Sequence, residues 1–286
     1  MAGSTTTTLN DLLPEIIQEA MFVANERSIM RGLVKNYALA AGSGKTVNVP
    51  IYPQQTADAA TEGDEVANTA VSTDQAVLTV SPVAIRTMLT DLARTSAASN
   101  VVADLGRLFG EAVARKMDQD LTALFAGFAD GYGNYSSAIS PADIFKAIAT
   151  LRATGASIDG MVCVLHPEIA YDLKAALTTG GATGAFTMGA YSEVGNEAMR
   201  NGYVMQLGGI PIYETSNIAY VTDPGDFPGA VFHRDALGLG MIGDIAIETQ
   251  RRASFLGDDI VCSAYYGVGE LQDGLGRHLK FDSSLS

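Results

Sequence analysis

Tryptophan is absent from this 286-residue chain, cysteine occurs twice, histidine three times and proline nine times. Each shortage closes off a class of protein. Cys163 and Cys262 both sit inside apolar runs (MVCVL and IVCSAYY), so they read as small buried hydrophobes and not as a disulfide framework or a catalytic thiol. His166, His233 and His278 stand singly, with no cysteine, histidine or acid at metal-ligand spacing, and no metal or catalytic constellation is expected from them. Bases are scarce as well: 18 Lys and Arg against 32 Asp and Glu leave a net charge of −14. Without a basic cluster on that background, sequence-specific nucleic-acid binding is not expected. Apolar runs fall far short of the roughly 18 residues of a membrane span. The start, MAGSTTTTLNDLL, lacks a basic segment followed by an apolar one, so no secretory leader is expected there.

What is abundant is core-forming material, 47% of the residues, enough for one large domain or two modest ones. The stretch that organises it runs from about residue 99 to 127. Val101, Val102, Leu105, Leu108, Phe109, Ala112, Val113, Met117, Leu121, Leu124, Phe125 and Phe128 recur at three- and four-residue steps, one apolar stripe of a helix. Asp104, Arg107, Glu111, Arg115, Asp118 and Gln119 occupy most of the other side. Some 28 residues make a rod of about 42 Å, in which Gly106 and Gly110 each cost ~1 kcal/mol against alanine. Tertiary packing must therefore hold the rod together.

Before it, residues 9–41 carry a helical pattern: Leu12, Ile16, Ile17, Ala20 and Val23 form one stripe, and Ile29, Leu33, Val34 and Tyr37 a second. Gly42-Ser43-Gly44-Lys45-Thr46 suggests a phosphate loop, but Leu39 stands where the first glycine belongs. The order is also reversed, helix before and strand after. That strand spans 46–53, and its partner 76–89 is bent by Ser81-Pro82. Between them the tip, 54–74, carries Asp58, Glu62, Asp64, Glu65 and Asp74 and no base. A hairpin reaching roughly 25–45 Å with a structureless tip of about 20 residues is foreign to a compact domain. It reads as one that leaves the body and is held by other subunits.

After the rod, Ser140-Pro141-Ala142-Asp143 is a capped helix start, with Ile144, Phe145, Ile148 and Leu151 as the buried face. Strand 161–165, His166-Pro167 and a helix through Ala170, Leu173, Ala176 and Leu177 follow. His166 reads as a strand-to-helix junction, since no nucleophile or carboxylate partner is evident. Residues 178–201 read as a Gly/Ala/Thr-rich surface loop with one short helix near Glu197. A hairpin comes next, 203–206 and 210–213 around Gly208-Gly209. Gly238, Gly240 and Gly243 imitate a dinucleotide fingerprint, but the alternating segment after them is a strand and opens no helix. Strands over 245–249, 259–266 and 277–281 close the chain.

In this order the chain resembles the major capsid protein family of tailed bacteriophages, whose shell fold encapsulin nanocompartments share. "TVNVPIYP" is similar to the family's entry into its extended loop, and "LFGEAVARKMDQDLTALFAGF" to its spine helix. "ADIFKAIATLRATG" with "MVCVLHPEIAYDLKAAL" resembles the axial domain, and "GYVMQLGGIPIYETSNI" its β-hairpin. "AVFHRDALGLG" and "IAIETQRRASFLGDDIVCSAYYGV" resemble the strands returning to the peripheral domain.

The resemblance implies an α+β phage major capsid fold divided as N-terminal arm (1–44), extended loop (45–93), peripheral domain with spine helix (94–138), axial domain (139–240) and peripheral return strands (241–286). It implies a structural, non-enzymatic subunit that assembles with itself, as hexamers and pentamers, into an icosahedral head shell around double-stranded DNA. The alternative on the same fold is an encapsulin-like container. Portal, scaffolding and decoration proteins are the implied partners; the DNA is a non-specific neighbour, no membrane or cofactor is involved, and the place is the virion after assembly in the host cytoplasm. Some family members link a loop lysine to a neighbour's asparagine; the tip here has no lysine, so that crosslink is not expected. With the arm starting within some ten residues of Met1, a separate scaffolding protein is expected rather than a fused one. Glu62, Asp64 and Glu65 crowd three carboxylates into four residues, and Arg251-Arg252 is the chain's only adjacent pair of arginines; these five are the candidate intersubunit contact.

Overall fold

The alternating and helical patterns resolve into two sheets that share one long helix. The structure, a computed structural model, describes residues 28–40, 42, 44–52, 55, 57, 59, 73–96, 101–179 and 206–285. The stripe over 12–23, the tip with Glu62, Asp64 and Glu65, and the segment 180–205 lie outside the described residues. In chain order the elements are α1 (Met30–Leu33), β1 (Lys35–Leu39), β2 (Thr46–Ile51), β3 (Asp74–Thr79), β4 (Ser81–Thr90), α2 (Asp91–Ser96) and α3 (Val101–Ala123). Then come β5 (Gly131–Gly133), α4 (Pro141–Ala153), β6 (Met161–Leu165), α5 (Pro167–Thr179), β7 (Gln206–Leu207), β8 (Ile210–Glu214) and β9 (Asp226–His233). The last four are β10 (Leu237–Ile242), β11 (Ala246–Arg252), β12 (Gly257–Glu270) and β13 (Gly276–Asp282).

The spine helix α3 runs on into a 3-10 turn, Leu124–Gly127, which completes the expected rod. Phe109, Val113, Met117, Leu121, Phe125 and Phe128 are all buried along it. Two side chains depart from the expected faces. Leu108 is 54% exposed, because its spacing from Asp104, Glu111 and Arg115 puts it on the wet row of the helix. Asp118, on the continuation of that same row, is buried. There the segment entering α1 lies across the helix, and the carboxylate accepts from Ser28 Oγ at 2.9 Å, from the Ile29 and Met30 N–H groups at 3.3 Å each, and from Asn217 Nδ2 at 3.3 Å.

The helical reading of 29–41 also needs correcting. Only Met30–Leu33 is helical, and Lys35–Leu39 is a strand paired in parallel with β10, Lys35 opposite Gly238 and Leu39 opposite Ile242. A free sheet edge outweighs the local period, as tertiary pairing commonly does. The return strand is two strands, broken at Val80 before Ser81-Pro82. The first, β3, stays with β2 in the hairpin, Thr46 opposite Thr79 and Ile51 opposite Asp74. The second, β4, leaves it for the body.

One sheet has five strands. β12 carries β10 and β11 along one edge and β4 along the other, and β1 extends it beyond β10. The other has six, in the order β5-β13-β9-β6-β8-β7. Strand β6, MVCVL, is buried on both faces. Val162 and Val164, with Ala230 and Phe232 of β9, face the core under α3. Met161, Cys163 and Leu165, with Val231, Leu279 and Phe281, face Ile144, Ile148, Leu151, Ile169 and Leu173 of α4 and α5. A continuous apolar run is what a doubly covered strand requires. Helix α4 starts at the expected capping box, Ser140 and Asp143 satisfying each other's backbone. The hairpin has a small cluster of its own: Ala76, Leu78 and Leu271 are buried, with Tyr37, Val47, Val49 and Ile51 packed around them. Its root runs so close over β12 that a Cβ at Gly267 would collide with the Thr79 carbonyl.

Candidate functional site

Both cysteines and all three histidines lie among the described residues. Cys163 and Cys262 are free and buried; burial pushes the Cys163 thiol far up and that of Cys262 to about 11, so neither is a thiolate near neutral pH. His166 stacks on Phe227 with ring centroids 3.5 Å apart and accepts the Glu168 N–H at 3.4 Å. It closes the strand and opens α5, as its neighbour Pro167 suggests; burial lowers its pKa. His233 accepts from the Asp235 N–H at 3.2 Å and reaches the Asp159 carbonyl at 3.0 Å. His278 is buried with Nε2 unpartnered among the described residues. Burial, helped by Lys280, holds its pKa down at about 4, so the ring is neutral. Gly238 and Gly240 lie inside β10. Among the described residues no group of three His, Cys, Asp or Glu is arranged to hold a metal, and no helix is long and apolar enough to cross a membrane.

The charged site is elsewhere, at the tip of the β11–β12 hairpin. Antiparallel pairing sets Arg251 opposite Asp258 and Arg252 opposite Gly257. On the face toward the spine helix, Arg251 grips Asp91 with both terminal nitrogens, at 2.7 and 2.6 Å, and reaches Asp258 at 3.4 Å. Asp91 is the first residue of α2, and its N–H donates to the Leu256 carbonyl at 2.8 Å, so the ion pair ties the end of β4 to the turn. On the opposite face Asp259 lies between two guanidiniums on the flanking strands. Arg252 Nε is 2.5 Å away and Arg86, on β4, 2.8 Å. Asp259 is 3% exposed, whereas the side chains of Arg86, Arg251 and Arg252 are 53%, 49% and 40% exposed. Asp258 and Asp259 are thus buried members under half-wet bases, whereas Asp91 is about as exposed as the arginine that grips it; water screens such pairs, and each contributes modestly. Leu256 turns the corner with φ +47, an unfavourable conformation for a residue with a side chain.

Of the five residues singled out in the sequence, Arg251 and Arg252 share this site, and Glu62, Asp64 and Glu65 lie outside the described residues. Their acidic partners within the chain, Asp91, Asp258, Asp259, and the third base, Arg86, were missed. One signal was present: in RRASFLGDD two bases and two acids flank a five-residue connection, and folding it as a hairpin brings opposite charges face to face.

The described residues form a body of two sheets on one spine helix, with a hairpin whose root packs against β12. A family model described as phage capsid protein matches residues 79–275, and the chain belongs to that family. It is a structural, non-enzymatic major capsid protein with the phage major capsid fold. The capsid structure of Cyanophage P-SCSP1u is similar over 90% of this chain and 89% of that one, at 17% identity and a TM-score of 0.68. Mycobacterium phage Che8 gives 88% and 90%, 18% identity and 0.66. The capsid of a native GTA particle gives 90% and 91%, 12% and 0.68. No curated protein matches the sequence.

Proposed function

We propose that copies of this chain form hexamers and pentamers that close into the icosahedral head shell of a tailed phage around double-stranded DNA. The observation that carries this reading is the β2–β3 hairpin. Its cluster holds three buried residues, one of them, Leu271, borrowed from the body, and its tip, 54–72, carries four acids, no base and, apart from alanines, only Val66 and Val71 as apolar side chains. Such a composition offers little apolar material for a core of its own, which fits a segment that docks on other copies. In the same reading α3 with the five-stranded sheet is the peripheral part, and the six-stranded sheet with α4 and α5 is the axial part. Scaffolding, portal and decoration proteins are the partners expected of such a shell, with assembly in the host cytoplasm.

The acidic tip, with Glu62, Asp64 and Glu65, docks in this proposal beside Arg251 and Arg252 of a neighbouring copy. The two arginines are already paired within their own chain, so the contact shares half-exposed guanidiniums and fixes register more than it adds affinity. Electron microscopy of the purified protein should show closed particles; only monomers or amorphous aggregate would contradict the shell. Glu62→Lys with Asp64→Lys should impair assembly, and adding Arg251→Glu with Arg252→Glu should restore part of it. A combination that assembles no better than either parent would separate the two patches.

A further inference from the structure

Arg251 and Arg252 are neighbours in sequence, and β11 turns them to opposite faces of its sheet. Level with Asp258 in the ladder, Arg251 lies on the side of the spine helix and meets two carboxylates of its own chain, Asp91 and Asp258. On the other side two bases meet one acid. Arg252 of β11 and Arg86 of β4 converge from the strands flanking β12 on a single oxygen of Asp259, Oδ2. Neither stands level with it: Arg252 is opposite Gly257 and Arg86 opposite Val261, so both reach diagonally toward the same carboxylate. Asp259 is buried, and its Oδ1 has no partner among the described residues. One carboxylate offsets only one of the two positive charges. An arginine carries five N–H donors, and each ion pair here uses one nitrogen, Nη2 of Arg86 and Nε of Arg252. Phe255 lies beside Arg252, its ring centre 6.0 Å from the guanidinium carbon, and with Met88 it leaves exposed apolar surface at the rim. Glu248 is level with Arg86 but two strands away. Two strand spacings are about 9–10 Å, near the screening length of physiological salt.

We propose that the Arg86–Arg252 face, and not the Arg251 face, receives the acidic tip of a neighbouring copy. The assignment rests on the docking of the β2–β3 hairpin on other copies and names the two side chains that take it. Glu62, Asp64 and Glu65 bring three carboxylates within four residues, and the tip has no base of its own. The planar fork of a guanidinium matches a carboxylate, and two half-exposed forks on one face can each take one. Arg251 offers no such vacancy, because both its terminal nitrogens already hold Asp91. Arg251 then serves its own chain, tying α2 to the turn, while Arg86, far from Arg252 in sequence, completes the receiving pair.

Charge exchange in the full chain tests it, with particle yield read by sedimentation velocity and folding checked by circular dichroism. Glu62→Lys with Asp64→Lys should lower the yield. Adding Arg86→Glu with Arg252→Glu should return it to within about threefold of the native chain, whereas adding Arg251→Glu should return none of it. Because Arg251→Glu sets a third acid beside Asp91 and Asp258, milder variants with the native tip give a second reading. Arg251→Gln should keep the native chain's loss of particles at high salt, and Arg86→Gln with Arg252→Gln should abolish that salt response. Rescue by Arg251→Glu as good as rescue by the pair, or a salt response lost in Arg251→Gln and kept in the pair, would overturn the assignment and leave the docking of the hairpin standing. Rescue by neither, in chains that fold, would remove the docking of the acidic tip at these arginines and the assignment with it.

Discussion

Asp118 is the residue at which the chain departs furthest from its sequence pattern. It continues the wet row of the spine helix, yet it is buried and takes up four donors from two distant segments. Burial raises its pKa against the pull of those hydrogen bonds, Ser28 foremost. Nothing within a helical turn of Asp118 announces this, because its partners lie about 90 and 99 residues away in sequence. Asp118→Ala strands Ser28, two backbone N–H groups and Asn217 together. Thermal or denaturant unfolding should show a loss of roughly 2–3 kcal/mol; a loss below about 0.5 kcal/mol, the range of ordinary surface changes, would mean that water replaces the carboxylate freely.

Elements with their own signals were read closely. MVCVL is continuous because both its faces are covered, and the strand spans Met161–Leu165 as expected. The box at Ser140 satisfies its own helix start and needs no distant partner. β1 was taken for helix because its strand state depends on an edge supplied by β10, some 200 residues on. The spine helix shows both behaviours. Leu121→Asp, at a fully buried position, should abolish folding by placing an unpaired charge in the core. Leu108→Asp, on the wet row, should change stability by less than about 0.5 kcal/mol. Far-ultraviolet circular dichroism with a melting curve distinguishes them; similar outcomes for both would mean that the stripe has been placed on the wrong face.

At the scale of the whole molecule, the described residues form a body with two large cores and a hairpin with a small cluster at its root. The two larger cores lie under α3 and under α4 and α5, whereas the hairpin keeps a three-residue cluster at its root. The order of these parts was legible because each is local. The sequence pointed to a contact between copies only through an imbalance, an acidic tip with no base, and the basic pair proved to have acids of its own chain beside it. The central claim is that the hairpin serves assembly and not folding. Deleting residues 56–73 and comparing the variant with the full chain by sedimentation velocity tests it most directly. The deletion should sediment as a soluble, folded monomer or capsomer while the full chain forms large closed particles; particles of normal size from the deletion would contradict the claim.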